Sequence, residues 1–122
     1  MNCVTMSLKT SFNLLSREDQ SELISLGPHQ PPNYKYTYKD GKKNRHITHQ
    51  SFKTFPWLTV DTEKNRFYCF NCLLFANRTI SKDKSSWFRN GFSTYKHLND
   101  RAKKHGKSAE HLNSSTKLKL FG

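Results

Sequence analysis

Two cysteines, Cys69 and Cys72, lie three positions apart in the run Cys-Phe-Asn-Cys, directly after a predicted β-strand. Two thiolates from one tight turn can bind the same metal ion, so this spacing is typical of a zinc knuckle. A redox dithiol is a rival interpretation, but that motif combines a preceding strand with a helix that begins at the cysteines. Here Leu73, Leu74 and Phe75 continue as an apolar segment. Two ordinary buried cysteines are the other alternative.

Two histidines follow the cysteine pair. His105 shares one face of a predicted helix with Tyr95, Leu98 and Ala102, where an unpaired imidazole would be costly to bury. His111 comes six residues later. Six residues on a continuous helix turn about 600°, which would leave the two side chains about 120° apart. Both imidazoles can therefore reach one ion only if the helix is interrupted between them.

The interval between the histidines contains such an interruption. Gly106 is a predicted helix break, and Ser108 is a predicted N-cap that starts another helix running to about Leu120. We therefore expect His105 at the end of one helix and His111 in the first turn of the next. The prediction is one zinc ion with four protein ligands, which are Cys69, Cys72, His105 and His111. Four protein ligands leave no open coordination position, so we expect a structural ion and no enzymatic activity.

The other thiol and imidazole groups are less well placed for this site. Cys3 lies in a terminus without a clear pattern and is predicted to be a free thiol. His97 lies about 80° from His105 on the predicted helix, on its polar side. The remaining histidines fall in predicted loops, and they are His29, His46 and His49.

The segment before the cysteines contains a predicted helix and a linker. Ser16 is the expected N-cap of this helix, and Gly27 lies just past its end. The run Gly27 to Pro32 holds three prolines and a glycine, a composition that cannot continue a helix.

Alternating residues predict extended structure after the linker. Tyr34, Tyr36 and Tyr38 recur at period two, which indicates a half-exposed extended segment. Asp40-Gly41 is a turn signal that ends it. The following stretch, residues 42–49, is basic and without periodicity, and it is predicted to be a loop.

A predicted β-hairpin leads into the cysteines. Its strands are Trp57–Val60 and Arg66–Phe70, with a turn over residues 61–65. Residues 81–90 are polar and predict a long loop, and a helix is expected from about Thr94 to Lys104 with Ser93 as its cap. The predicted fold is small α+β, with a zinc-stabilised hairpin and knuckle packed against helices. Its expected core comprises Trp57, Phe67, Phe70, Leu74, Phe75, Tyr95 and Leu98.

Composition limits the class of protein. Of the 122 residues, 34% are hydrophobic, and the mean hydropathy is −0.87. A domain of this size has a modest core and usually needs a metal or disulfides to fold. No run approaches the roughly 18 apolar residues of a membrane span, and no signal peptide opens the chain. We therefore expect neither a membrane partner nor a disulfide framework.

The charge of +12 is unevenly distributed, since residues 1–34 sum to −1 and the rest to +13. Such an excess of Lys and Arg is typical of proteins that bind polyanions, because neutralised phosphates release condensed counterions. A basic surface that only maintains solubility and one that binds a membrane surface are the alternatives. The predicted nucleic-acid contacts, each of which could equally be solvated surface, are Lys42, Lys43, Arg45, Lys96, Arg101, Lys103, Lys104 and Lys107.

Several short motifs occur in order over about residues 26–112. They are Leu26-Gly27-Pro28-His29-Gln30-Pro31, Phe55-Pro56-Trp57-Leu58, the run from Phe67 to Phe75, Gly91-Phe92, Tyr95-Lys96-His97, and His105 with Ser108 and His111. This ordered combination resembles the TTF-type zinc finger, a BED-like domain found in hAT-like transposases and in zinc finger MYM-type-like proteins. One departure is Tyr95, where the family often has another large aromatic residue, tryptophan.

The resemblance implies zinc binding by the four predicted ligands, and DNA binding in a nuclear, transposase-derived protein. The ribonuclease-H-like catalytic domain of such a transposase cannot fit in this chain. We therefore expect an N-terminal module alone, over residues 34–112, between a flexible segment 1–33 and a helical tail 113–122. The end of the chain within a predicted helix favours truncation. No small-molecule substrate is expected, and a zinc-stabilised protein-interaction domain is the alternative function.

Overall fold

The computed structural model of the chain describes residues 12–75, 87–88 and 91–121. In these residues, helices and antiparallel hairpins form a small α+β fold, as predicted. The helices are α1 (Arg17–Leu26), α2 (Gln50–Thr54), α3 (Phe70–Phe75), α4 (Leu98–Gly106) and α5 (Ala109–Leu120), with 3-10 turns at Phe12–Leu14 and Tyr95–His97. The strands are β1 (Lys35–Asp40), β2 (Lys43–Thr48), β3 (Leu58–Asp61) and β4 (Arg66–Cys69). Cys3 and most of the predicted loop over residues 81–90 lie outside the described residues.

The N-terminal helix has the predicted boundaries. The Ser16 side chain accepts a hydrogen bond from the Asp19 N–H at 3.1 Å, and Gly27 follows the last turn with a φ of 68°. Before this helix, Phe12 packs edge-on against Phe75 at 5.0 Å and against Phe121 at 5.9 Å. The 3-10 turn therefore contacts the ends of both α3 and α5. None of the helices in the described part of the chain has the length and apolar character needed to cross a membrane.

Strands β1 and β2 form the first hairpin, and the predicted loop over residues 42–49 is wrong. The pair Asp40↔Lys43 closes a two-residue connection in which Gly41 has a φ of 65°. Glycine at the first central position suits the tight turns that join twisted antiparallel strands. Ile47 is the buried residue of β2, Thr48 is half-buried, and the other positions carry exposed polar side chains. Sequence periodicity failed here because a strand with so little buried surface has almost no apolar alternation.

Strands β3 and β4 form the second hairpin, within one residue of its predicted bounds, and their register runs from Leu58↔Cys69 to Asp61↔Arg66. Its turn ends at Asn65, which has a φ of 52°. Two tyrosine hydroxyls donate to this residue, from Tyr34 to its side-chain oxygen at 2.9 Å and from Tyr95 to its carbonyl at 2.8 Å. These hydrogen bonds connect the second hairpin with the first hairpin and with the turn before α4.

The apolar segment of the cysteine motif is helix α3, whereas no helix was predicted to begin at the motif. Its buried residues include Phe70, Leu73 and Leu74, which recur at i, i+3 and i+4 and so form one helical face. This face is part of the hydrophobic core, and α3 packs against α5. A short apolar run cannot be assigned to strand or helix by periodicity alone, which explains the error.

The helix predicted over Thr94–Lys104 begins and ends later in the structure than predicted. The chain first forms the 3-10 turn at Tyr95–His97, and α4 then runs to Gly106. Neither element has a side-chain hydrogen bond at its N-cap, so the predicted capping role of Ser93 is wrong. The second predicted cap is confirmed, because Ser108 Oγ accepts a hydrogen bond from the His111 N–H at 3.2 Å and α5 follows.

The core extends beyond the predicted set. Phe67, Phe70, Leu74 and Leu98 are buried as predicted, whereas Trp57, Phe75 and Tyr95 are partly buried at its edge. Trp87 and Phe88, within the segment predicted to be a polar loop, are also buried. The Trp87 carbonyl accepts a hydrogen bond from the Cys69 N–H at 2.8 Å, and Phe92 exchanges two backbone hydrogen bonds with Phe67. These residues therefore lie along the free edge of β4.

Gly91→Ala is expected to destabilise the protein by about 2–5 kcal/mol. Gly91 has a φ of 86°, and an added Cβ would lie 2.7 Å from Arg66 Cβ and 2.8 Å from the Tyr68 ring. The matched control is Gly41→Ala, because Gly41 has a φ of 65° but no atom within 4 Å of the added Cβ. The free energy of unfolding of the control should fall only by the cost of the backbone conformation, about 1–2 kcal/mol. Denaturant unfolding measures both free energies of unfolding. Equal decreases in the two variants would contradict the close packing at Gly91.

Candidate metal centre

Four side chains from separate elements converge on one buried point. Cys69 ends β4, Cys72 lies in α3, His105 lies in the last turn of α4 and His111 lies in the first turn of α5. Their ligand atoms all lie within 4.8 Å of one another, and all four residues are buried. This group can hold one metal ion. The structure thus brings together the four residues that the sequence predicted as ligands.

The two histidines present different ring nitrogens to the sulfurs. Cys69 Sγ lies 3.2 Å from His111 Nδ1, and Cys72 Sγ lies 3.4 Å from His105 Nε2. Cys72 Sγ is also 4.0 Å from His111 Nδ1. Each sulfur therefore faces an imidazole nitrogen, and His111 Nδ1 lies near both sulfurs.

The chain between the histidines makes this convergence possible. Helix α4 ends at Gly106, and the Ser108 N–H and hydroxyl both donate to the His105 carbonyl, at 2.9 Å and 2.7 Å. The same hydroxyl accepts the His111 N–H. One serine side chain therefore fixes the backbone of one histidine relative to that of the other. This arrangement confirms the predicted interruption of the helix.

The electrostatics of the thiol pair favour one negative charge over two. Burial raises the pKa of the Cys69 thiol well above its ordinary value, and the adjacent Cys72 raises it further. Hydrogen bonds from the Cys69 thiol, and then from His105 and His111, lower the pKa of the Cys72 thiol. A bound cation would balance two thiolates, and metal binding requires deprotonated ligands. Binding of a metal here is therefore expected to release a proton.

Burial of the two cysteines, rather than the absence of a helix, distinguishes this group from a redox dithiol. Helix α3 does begin at the motif, so the absence of a helix cannot distinguish the two kinds of site. Accessibility does so, because thiol–disulfide exchange requires a reachable sulfur and both cysteines have 0% exposure. The imidazoles opposite both sulfurs also distinguish this group from two ordinary buried cysteines.

A hydrogen-bonded pair behind His111 was not predicted. His111 Nε2 lies 3.3 Å from Ser115 Oγ, and that oxygen accepts a hydrogen bond from Asn71 Nδ2 at 2.9 Å. With Nδ1 facing the sulfurs, a proton on Nε2 can be donated to Ser115, which fixes the ring's orientation. Two sequence features could have indicated this contact. Ser115 lies at i+4 from His111 on one predicted helix, and the polar residue Asn71 lies inside the Cys-x-x-Cys motif.

Two tryptophans enclose the imidazoles. The centroid of the Trp57 ring lies 5.1 Å from the His105 centroid and 5.0 Å from the His111 centroid. The centroid of the Trp87 ring lies 5.2 Å from the His105 centroid. The indoles also contact each other edge-on at 5.4 Å. They exclude water from the histidine side of the group, which strengthens the electrostatic interactions within it.

The remaining predicted site residues lie on the surface. His97 is exposed and outside the buried group, as predicted. The eight predicted nucleic-acid contacts are all exposed: Lys42, Lys43 and Arg45 on the first hairpin, Lys96 in the 3-10 turn, Arg101, Lys103 and Lys104 on α4, and Lys107 after it.

Cys69→Ser and His111→Ala are each expected to abolish stoichiometric metal binding and the cooperative thermal transition, because folding of small metal domains is coupled to metal binding. Elemental analysis of the purified protein and thermal unfolding with and without a chelator are the measurements. His97→Ala changes an exposed imidazole outside the group and should retain one metal ion per chain. Full metal content in either ligand variant would refute the assignment.

Ser115→Ala is expected to weaken metal affinity about 10- to 100-fold while the stoichiometry stays at one. The reason is that His111 Nε2 loses its hydrogen-bond partner. Thr116→Ala is the matched control, since that neighbouring hydroxyl is exposed and donates to the Leu112 carbonyl of its own helix. Competition with a chromogenic chelator measures both variants, and equal affinities would exclude a role for Ser115.

Comparison of the chain with protein-family models, with curated proteins and with solved structures finds no match. The resemblance to the TTF-type zinc finger therefore stays a prediction from the motif residues. What the structure adds independently is the small α+β fold and the buried Cys2His2 group.

Proposed function

We propose that the protein is a DNA-binding module stabilised by one zinc ion. Zinc–sulfur bonds of about 2.3 Å and zinc–nitrogen bonds of about 2.0–2.1 Å in a tetrahedron separate each sulfur from each nitrogen by about 3.6 Å. The three sulfur–nitrogen distances of 3.2, 3.4 and 4.0 Å lie on either side of that value. Two thiolates and two imidazoles also form a ligand set typical of structural zinc.

The zinc ion in this proposal maintains the fold and does no chemistry. Four protein ligands leave no coordination position for a water molecule or a substrate. The sulfurs of Cys69 and Cys72, at 0% exposure, are inaccessible to a substrate as nucleophiles. The proposed protein is therefore a binding module and not an enzyme.

The observation that carries the nucleic-acid proposal is a concentration of exposed cations on two adjoining elements. The first hairpin bears five Lys and Arg residues and one acid, Asp40, and residues 95–107 bear five and one acid, Asp100. The two elements meet where Tyr95 packs against Tyr36 at 4.7 Å and Tyr38 at 5.6 Å. An excess of exposed cations on two adjoining elements is complementary to a phosphate backbone.

Few of these cations are neutralised within the protein. Asp40 pairs with Arg45 at 2.9 Å and with Lys96 at 3.7 Å. Among the residues that the structure describes, the other six predicted contacts have no ion-pair partner within 4.0 Å. Unpaired cations keep their full charge for phosphates. The resemblance to the TTF-type zinc finger supports DNA as the polyanion, and a transposase-derived protein located in the nucleus.

A zinc-stabilised protein-interaction domain is the second candidate. It is favoured by Leu112 and Leu120, which are 54% and 79% exposed on α5. Exposed leucines can contribute to a protein interface, whereas they contribute nothing to phosphate binding.

Binding of the metal-loaded protein to a random-sequence duplex should weaken steeply with salt. If the six unpaired cations contact phosphates, the slope of log affinity against log salt is about −5. Fluorescence anisotropy between about 50 and 200 mM salt measures this slope, the range over which such contacts lose most affinity. Protein treated with a chelator is the control and should lose binding together with its fold. Absent binding at the lowest salt, or a flat dependence, would refute the DNA proposal and favour the second candidate.

A further inference from the structure

The first hairpin has two faces of different character. Side chains alternate along each strand and directly paired residues share a face, so the register defines both faces. The inner face comprises Tyr36, Tyr38, Asp40, Lys43, Arg45 and Ile47, and its tyrosines pack against Tyr95. The outer face comprises Lys35, Thr37, Lys39, Asn44, His46 and Thr48. All residues of the outer face are exposed except Thr48, which is half-buried.

The outer face combines positive charge with hydrogen-bonding groups and carries no acid. The one acid of the hairpin, Asp40, belongs to the inner face, where Arg45 and Lys96 engage it. Lys35 and Lys39 are therefore not offset by a negative charge on their own face. A protein surface of lysine, asparagine, histidine and threonine complements a nucleic acid, in which phosphates flank polar base edges.

Two exposed side chains of this face, Asn44 and His46, carry hydrogen-bonding groups that can contact bases. Thr37 Oγ1 lies 2.8 Å from His46 Nδ1, which orients the imidazole. The His46 ring has no other hydrogen-bond partner among the described residues, so Nε2 remains for an external group. Asn44 lies opposite Lys39 near the tip of the hairpin. An asparagine amide can form two hydrogen bonds with the major-groove edge of adenine.

The dimensions of the hairpin suit one groove of duplex DNA. Two paired strands lie about 4.8 Å apart, and the major groove, about 12 Å wide, admits a two-stranded β-ribbon. The minor groove is about 6 Å wide and too narrow for such a ribbon with its side chains.

The hairpin is also held rigidly on its inner side. Tyr34, just before β1, is buried against Phe52 and Phe67, and its hydroxyl donates to Asn65. The Tyr95 ring, which supports the inner face, donates its hydroxyl to the Asn65 carbonyl. An anchored ribbon loses little conformational entropy on binding.

We propose that the outer face of the first hairpin enters the major groove of duplex DNA, where Asn44 and His46 contact base edges and Lys35 and Lys39 contact phosphates. This inference rests on the proposed DNA-binding function, assigns base contact to one surface, and adds Lys35 and Lys39 to the phosphate contacts already proposed.

The phosphate contacts are tested with Lys35→Ala/Lys39→Ala in the metal-loaded full chain. The matched control is Lys53→Ala/Lys64→Ala, which removes the same charge from exposed positions in α2 and in the turn of the second hairpin. The outer-face variant should reduce the salt slope by about 2, and the control should leave it within experimental error. Equal effects of the two variants would overturn the surface assignment while leaving DNA binding intact. Failure of the unmodified protein to bind duplex would instead refute the proposed function itself.

The base contacts are tested by selection from a randomised duplex library, followed by binding of the selected sequence. Asn44→Ala and His46→Ala should each relax the preference at one or two positions, with roughly 5- to 100-fold less discrimination. The lysine variant should instead weaken binding to all sequences alike. Replacement of adenine by 7-deazaadenine, which lacks the N7 acceptor in the major groove, should interfere with binding. Selection without an enriched motif, unchanged discrimination in both variants, or absence of N7 interference would overturn the assigned groove contacts.

Discussion

The fold depends on bringing two thiols and two imidazoles to one buried point. Cys69 and Cys72 come from the junction of β4 and α3, and His105 and His111 come from the junction of α4 and α5. This Cys2His2 group, which can hold one metal ion, therefore joins the second hairpin to the C-terminal helices. Without a cation, the raised pKa of the Cys69 thiol and the lowered pKa of the Cys72 thiol leave one negative charge buried in this group. In a small chain that is only 34% hydrophobic, one such junction accounts for much of the architecture.

The ligands and the geometry between the histidines could be predicted because local chemistry specifies them. A Cys-x-x-Cys motif after a strand has few interpretations, and a spacing of six residues between histidines is incompatible with an unbroken helix. Ser108 could be identified as a cap from its residue type and its position before a helical pattern. The structure extends this prediction, since the Ser108 hydroxyl contacts the backbone of both histidines.

The errors share a different physical cause, which is that tertiary contacts decide the outcome. Strand β2 buries only Ile47, so its identity depends on pairing with β1 rather than on an apolar pattern. The sequence of the apolar run from Phe70 to Phe75 is compatible with a strand or a helix. Its packing against α5 favours the helix. Trp87 and Phe88 were hidden within a polar stretch because two buried rings are too few to produce periodicity. Ser115 could not be ranked among many serines without knowing which nitrogen of His111 faces the sulfurs.

The two indoles beside the histidines have an optical consequence. The chain contains two tryptophans, and each ring lies about 5 Å from a predicted ligand, at 5.0 to 5.2 Å. Tryptophan emission responds to the polarity, charge and quenching groups of its immediate surroundings. The tryptophan fluorescence of the whole protein therefore originates beside the candidate metal site. A titration with a metal ion or a chelator can thus be followed without an added label, and the same signal reports ligation and folding together.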